Sequence, residues 1–266
     1  MPRGFNDYDT AILQRRLWSP AVLRPAAWFD AADLSTISVA TGVSEWRDRS
    51  GNARHVSQAT GANQPTYSEF GFRGRPGITF NGSSHQLNGS ASITTGTYTG
   101  AFNVFWVAAR TDAIGGTVLA ERSSALIASS QWVDVSSAYY ISSDGLNLSS
   151  NHQIGLSDFN SLSSAGGIVS HGHVPGSRDV CWLNGRSLSV TTGTASNITG
   201  STSAFCIGNR LDTSLRFTGQ ICEVLVTLDT LVAPNRVSME GYLSWKWGIP
   251  LAADHPFANR PPLIGD

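Results

Sequence analysis

The segment Ala101-Phe102-Asn103-Val104-Phe105-Trp106-Val107-Ala108-Ala109 constrains the fold more than any other. It is apolar at every position but one and does not alternate, so as a β-strand it is expected to be buried on both faces. Such a strand belongs in the middle of a sheet that is itself covered. Gly167-Ile168-Val169-Ser170-His171-Gly172-His173-Val174 reads as a second strand. Asp179-Val180-Cys181-Trp182-Leu183 faces Arg186-Ser187-Leu188-Ser189-Val190 across Asn184-Gly185, the pair best suited to a type I′ hairpin because both residues tolerate positive φ. Asn81-Gly82, Asn88-Gly89 and Asp144-Gly145 are weaker signals of the same kind. From Phe217 to Val226 the chain alternates without a cleanly polar side, which predicts a central strand partly covered by the terminal segments.

One helix stands out, opening at Pro234 and closing at Gly248. Pro234 suits a first turn, where a missing N–H costs nothing. Val237, Gly241, Tyr242 and Trp245 fall three or four apart and predict the buried stripe, with Gly241 allowing close approach to a sheet. Gly248 suits the left-handed cap, with Ile249 packing back and Pro250 barring continuation. The sequence divides into an N-terminal arm (1–24), a single sandwich domain (25–258) and a Pro-rich tail (259–266). In the arm, Asp9 or Thr10 can cap a short helix carrying Ile12, Leu13 and Leu17, with Trp18 at its end. That arm either folds back on the domain or docks on a larger particle.

Only 14% of the 266 residues are charged, well below the roughly 25% of ordinary domains, and Ser, Thr, Gly and Asn take their place. The formal net charge of −1 offers no broad attraction to nucleic acid or anionic lipid. No segment has the ~20 apolar residues of a membrane span, and the first residues lack the apolar core of a signal peptide. Membrane insertion and nucleic-acid partners are therefore not expected. Cys181, Cys206 and Cys222 lie in apolar strand-like runs and read as buried free thiols of a protein made in a reducing cytoplasm. Trp28, Trp46, Trp106 and Trp182 are assigned to the core.

Two blocks near opposite ends carry a resemblance. The first is Trp28-Phe29-Asp30-Ala31-Ala32-Asp33-Leu34, with Trp46-Arg47-Asp48-Arg49-Ser50-Gly51-Asn52 after it; the second is Glu240-Gly241-Tyr242-Leu243-Ser244-Trp245-Lys246-Trp247-Gly248. Together they resemble the opening and closing of a concanavalin A-like, laminin-G-like jelly roll, over roughly residues 26–258. This version of the blocks is similar to modules in tailed-phage virion proteins (fibre, tail or capsid decoration) and in bacterial surface proteins. The resemblance implies an all-β fold: a two-sheet antiparallel sandwich of about six strands per sheet, with one C-terminal helix over an edge or sheet end. It also implies a lectin-like virion accessory protein, made in the host cytoplasm and carried on the particle. Such a protein attaches to host-cell glycans, docks on other virion proteins through Ile12, Leu13, Leu17 and Trp18 of the arm, and forms a homo-oligomer. A purely structural virion subunit is the alternative, and a polysaccharide-degrading enzyme ranks third.

Residues that could carry chemistry are sparse. The jelly-roll glucanases that share this resemblance use a Glu-x-Asp-x-x-Glu strand, which is absent here. The expectation is therefore that the chain is not an enzyme. His171 and His173 share a strand face but lack further zinc ligands and read as surface histidines. Calcium is the ion the resemblance leaves open. Asp134, Asp144 and Asn147, and Asn209 with Asp212, match no calcium loop, so no metal or cofactor is assigned. For glycan binding, Trp132, Asp134, Tyr139, Tyr140, Asp144 and Asn147 combine aromatic faces with carboxylate and amide groups; core placement of Trp132 and one tyrosine is the competing reading.

Overall fold

The computed structural model describes residues 17–93, 96–98, 100–111, 116–122, 126–132, 138–142, 152–155, 165–175, 177, 180–189, 198–201, 204–209, 216–230 and 232–266. Residues 96–98, 121–122, 126–132, 138–142, 152–155 and 198–201 are described by their backbone alone. Two antiparallel sheets form a sandwich. Strands are numbered along the chain. The eight-stranded sheet runs β16 (Arg186–Leu188), β15 (Val180–Leu183), β14 (Gly167–His173), β9 (Phe102–Arg110), β19 (Thr218–Thr227), β6 (Arg75–Asn81), β5 (Thr66–Phe72), with β1 (Ala27–Asp30) also on β19. The nine-stranded sheet runs β13 (His152–Gly155), β12 (Ala138–Ser142), β11 (Leu126–Trp132), β10 (Gly116–Arg122), β18 (Phe205–Ile207), β7 (Leu87–Gly89), β4 (Val56–Ser57), β3 (Val43–Trp46), β2 (Ile37–Val39). A small ribbon pairs β8 (Gly96–Tyr98) with β17 (Ile198–Ser201). The strands outnumber the six per sheet that were expected, because pieces of two or three residues such as β4 and β7 carry no readable period.

The apolar run at 101–109 is β9, between β14 and β19 and buried almost throughout. The strand expected over 217–226 is β19, flanked by β9 on one side and by β1 and β6 on the other. Asn184 and Gly185 take φ of 51° and 79°, the positive pair a type I′ turn requires, and join β15 to β16. Arg73-Gly74 turns β5 into β6 with the same positive pair, 51° and 74°. Asn88-Gly89 is not a turn but the end of β7.

Between the sheets, Phe29 of β1 meets Trp46 of β3 at 5.5 Å and Phe205 of β18 at 5.7 Å between ring centroids. Trp46 and Trp106 are fully buried and Trp28 nearly so, whereas Trp182 is half-buried under the Arg236 guanidinium. All three cysteines are buried, with no disulfide among them. His171 and His173 correct the expectation of surface histidines: they are 2% and 0% exposed, packed against the Phe102 ring at 5.7 and 4.5 Å.

The helix, α1 (Ala233–Trp247), ends as expected, with Gly248 left-handed at φ 66° and its N–H bonded to the Ser244 carbonyl. Its buried face differs from the expected stripe. Met239, Leu243 and Trp247 point inward, while Trp245 is 47% exposed. Gly241 admits Phe257 of the segment after the helix rather than a sheet, since a Cβ there would lie 2.7 Å from the Phe257 Cβ. The helix covers a face of the eight-stranded sheet, reaching Glu223 of β19 and Trp182 of β15, not an edge. Among the described residues no helix is long and apolar enough to cross a membrane.

Candidate functional site

The two sequence blocks converge on one buried carboxylate. Glu223 of β19 is fully buried, and four groups from two segments, β1 and the helix, donate to it. Its Oε1 accepts from the indole of Trp28 at 2.8 Å and the hydroxyl of Tyr242 at 3.1 Å; its Oε2 accepts from the indole of Trp247 at 2.6 Å and the ammonium of Lys246 at 2.8 Å. Lys246, the chain's one lysine, also reaches Asp30 Oδ1 at 2.6 Å and the Tyr242 hydroxyl at 3.0 Å, so its three protons are used. Arg49 closes the cluster by pairing with Asp30 and, at 2.9 Å, with Asp33, while its guanidinium lies 4.2 Å over the Trp28 ring. Burial pushes the Glu223 carboxyl above its ordinary range, Lys246 opposes this, and the Asp30 charge adds to it. Burial, then the charges of Glu223 and Asp30, push the Tyr242 phenol far up, so it stays protonated and donates.

The Asp48-Arg49-Ser50-Gly51-Asn52 turn anchors the first strand. Asp48 accepts from the backbone N–H of Trp28 (2.9 Å), Ser50 (2.8 Å) and Arg54 (3.0 Å) and from the Ser50 hydroxyl (2.7 Å). Asn52 and Arg54 donate to the Ala26 carbonyl at 3.0 and 2.7 Å. A second buried carboxylate, Glu240, accepts on Oε2 from Arg236 (2.6 Å) and His255 (3.1 Å), tying the segment after the helix back onto it. Because His255 Nδ1 accepts from the Phe257 N–H at 3.1 Å, the proton toward Glu240 sits on Nε2.

Above the Glu223 cluster lies an open groove of about 370 Å³, lined by Leu17, Trp18, Tyr242, Trp245, Lys246, Pro261 and Pro262. Its wall forms where the arm meets the tail: Leu17 bridges Leu263, and the Trp18 N–H donates to the Pro262 carbonyl at 3.0 Å. Of the arm residues expected to dock, Leu17 is 65% exposed, Trp18 is buried edge-on to Tyr242, and Ile12 and Leu13 lie outside the described residues.

The expected glycan residues sit on the nine-stranded sheet or beyond the described chain. Trp132 ends β11, and Tyr139 and Tyr140 lie in β12. Asp134, Asp144 and Asn147 lie outside the described residues. The register pairs Gln131 with Tyr140, and Tyr140 with Gln153 of β13. Among the described residues no group of three or more His, Cys, Asp or Glu side chains is arranged to hold a metal. Sequence reading missed Glu223 as a hub, because its partners lie up to 195 residues away. A lone glutamate inside an apolar strand was the available signal.

No protein-family model matches the chain, and no curated protein matches it. Solved structures of similar fold include the binding domain of Paraclostridial mosquitocidal protein 1, at TM-score 0.56 and 12% identity over 82% of this chain and 52% of that one. Trypanosoma rangeli sialidase is similar at TM-score 0.53 and 12% identity, over 83% of this chain and 32% of that one. A mutant of that sialidase displaying trans-sialidase activity gives TM-score 0.54 and 11% identity, over 91% and 37%. The chain thus spans about half the length of the first and about a third of the sialidases. At these identities the likeness is one of fold, a two-sheet β sandwich. It overturns the expectation that the chain is not an enzyme, because the sandwich recurs within sialidases. The physical reason is that carboxylates need not share a strand to converge: Asp30 and Glu223 meet on one lysine from opposite ends of the chain.

Proposed function

We propose that the protein is a phage virion component whose lectin-like sandwich attaches to host-surface glycans. The observation that carries the reading is the register of β11, β12 and β13. It lines up Gln131, Tyr140 and Gln153 on one face across three neighbouring strands, whereas strand alternation gives Trp132 and Tyr139, at the next positions of β11 and β12, to the other face. Amides and aromatic rings are the groups that hold a sugar, the ring against its C–H face and the amides on its hydroxyls. Asp134, Asp144 and Asn147, outside the described residues, are candidates from the sequence alone. The fold's occurrence in the binding domain of a mosquitocidal protein, and in a sialidase solved in complex with sialic acid, supports a glycan-facing role. The virion assignment rests on the sequence blocks; the arm, through Ile12 and Leu13, is the docking element of a homo-oligomer on the particle, since Trp18 is spent on packing against Tyr242.

A glycan array on the full chain and on Trp132→Ala and Tyr140→Ala tests this. The expected result is a reproducible glycan hit that Tyr140→Ala weakens about tenfold and Trp132→Ala, at a position of the other face, leaves in place. A wild-type chain that binds no glycan overturns attachment and leaves a purely structural virion subunit. For docking, removal of residues 1–16 spares the buried Trp18; particle incorporation at the normal level by that variant refutes the arm's role.

A further inference from the structure

The Glu223 cluster holds an amine against two carboxylates with little water to separate them. Lys246 Nζ lies 2.6 Å from Asp30 Oδ1 and 2.8 Å from Glu223 Oε2, and the rings of Tyr242 and Trp247 stand with their centroids 5.2 Å from the nitrogen. The two carboxylates are not equivalent. Glu223 takes neutral donors on both oxygens, the indoles of Trp28 and Trp247 and the Tyr242 hydroxyl, and burial raises its hold on a proton. Asp30 is held as a carbonyl under attack is held: the Ala32 N–H donates to Oδ1 at 3.0 Å and the Arg49 guanidinium to Oδ2. A desolvated amine, an acyl carbon with a cation on its oxygen, and a proton carrier in contact with the amine are the parts of an amide synthesis.

We infer that Lys246 and Asp30 condense to an intramolecular amide, with Glu223 as the general base and then the general acid of the step. Lys246 passes one proton to Asp30 Oδ1, and its freed lone pair bonds to the Asp30 carboxyl carbon. The electrons displaced from the C=O bond collect on Oδ2, against Arg49. The nitrogen gives a second proton to Glu223 Oε2. Glu223 hands that proton to Oδ1, and the bond from carbon to Oδ1 breaks as water leaves. An amide with one N–H remains, Glu223 is a carboxylate again, and no oxidant or activating group is consumed. In free solution the reaction is opposed by dilution and by solvation of both ions. Here the solvation is already lost, and fixed geometry is equivalent to a reactant concentration on the order of 10⁵ M or more. The ion pair is the major state of the cluster and the neutral amine–acid pair the minor one, so the bond forms slowly beside folding. Freshly folded chains hold the ion pair, and aged chains hold the amide. The link fastens β1 to the closing helix.

Intact-mass spectrometry of the freshly folded full chain, sampled over days at physiological temperature, tests this. The expected result is loss of the mass of one water from most chains, at a rate independent of protein concentration. Trypsin should then release a branched peptide joining the segment that carries Asp30 to the one that carries Lys246. Glu223→Gln should slow the loss about a hundredfold or more, because the proton carrier is gone. Lys246→Arg keeps the cation and should lose nothing. Asp30→Asn should lose ammonia in place of water at the same pair, which keeps the test decisive if Glu223→Gln does not fold. An unchanged mass in aged wild type overturns the inference. So does a water loss that persists in Lys246→Arg, as from an aspartyl-glycine turn, or a branch that maps to Glu223 instead of Asp30.

Discussion

Replacing Lys246 with methionine keeps the length and apolar stem of the side chain and deletes the one cation that Glu223 and Asp30 share. Those carboxylates have side-chain exposures of 0% and 4%, and Lys246 only 19%, so the pair is shielded from water and salt. Removing one partner of a buried pair costs about 3–5 kcal/mol, because the charge left behind has no compensation. Asp30 keeps Arg49, so the loss falls mainly on Glu223 and belongs near the lower figure, about 3 kcal/mol. For a chain of this size that lowers Tm by about 6–12 °C. Acid should soften the defect. Burial already makes folded Glu223 bind its proton more tightly than the unfolded chain does, and loss of Lys246 strengthens that preference. A group of raised pKa contributes stability below its unfolded value and loses it as pH rises through the folded one. The penalty of Lys246→Met is therefore smallest near pH 4.5 and grows toward pH 7. Thermal melts by circular dichroism at both pH values measure it, and Glu223→Gln with Lys246→Met should cost less than the sum of the two. A shift below about 2 °C at neutral pH, or a penalty that grows on acidification, refutes the reasoning.

Three further outcomes follow from the same contacts. An amine-reactive label should spare Lys246 in the folded protein and modify it after unfolding, as read by peptide mass. Asp48→Ala should cost about 3 kcal/mol in urea unfolding, since it strips acceptors from the N–H groups of Trp28, Ser50 and Arg54. Gly248→Ala should cost about 1 kcal/mol in the same assay, because the left-handed cap strains any Cβ and the added carbon would sit 2.7 Å from the Arg75 guanidinium.

What could be read from the sequence was local. The 101–109 run declared itself a central strand by having no polar face, and Asn184-Gly185 and Gly248 declared a turn and a cap because their backbone angles suit few other residues. Arg73-Gly74 stayed hidden since arginine is an uncommon occupant of positive φ. The helix face was misjudged because Trp245 looks as apolar as Trp247; which one turns inward is settled by Glu223, whose bond to the Trp247 indole no local pattern encodes. The same holds for the candidate site. The aromatic residues of β11 and β12 could be named, but the amides beside them, Gln131 and Gln153, emerged only from strand register.

The pairing of β1 with β19 sets a timetable for the chain's birth. Trp28 and Phe29 leave the ribosome long before their partners Leu225 and Val224 exist, and the Trp28 indole waits a further 195 residues for its acceptor. Until then this greasy leading strand travels unsheltered. Completion of the sandwich is a late, all-at-once event, slow by its long-range topology. Any product terminated ahead of β19 is a fragment bound for aggregation or proteolysis rather than a smaller working version of the protein.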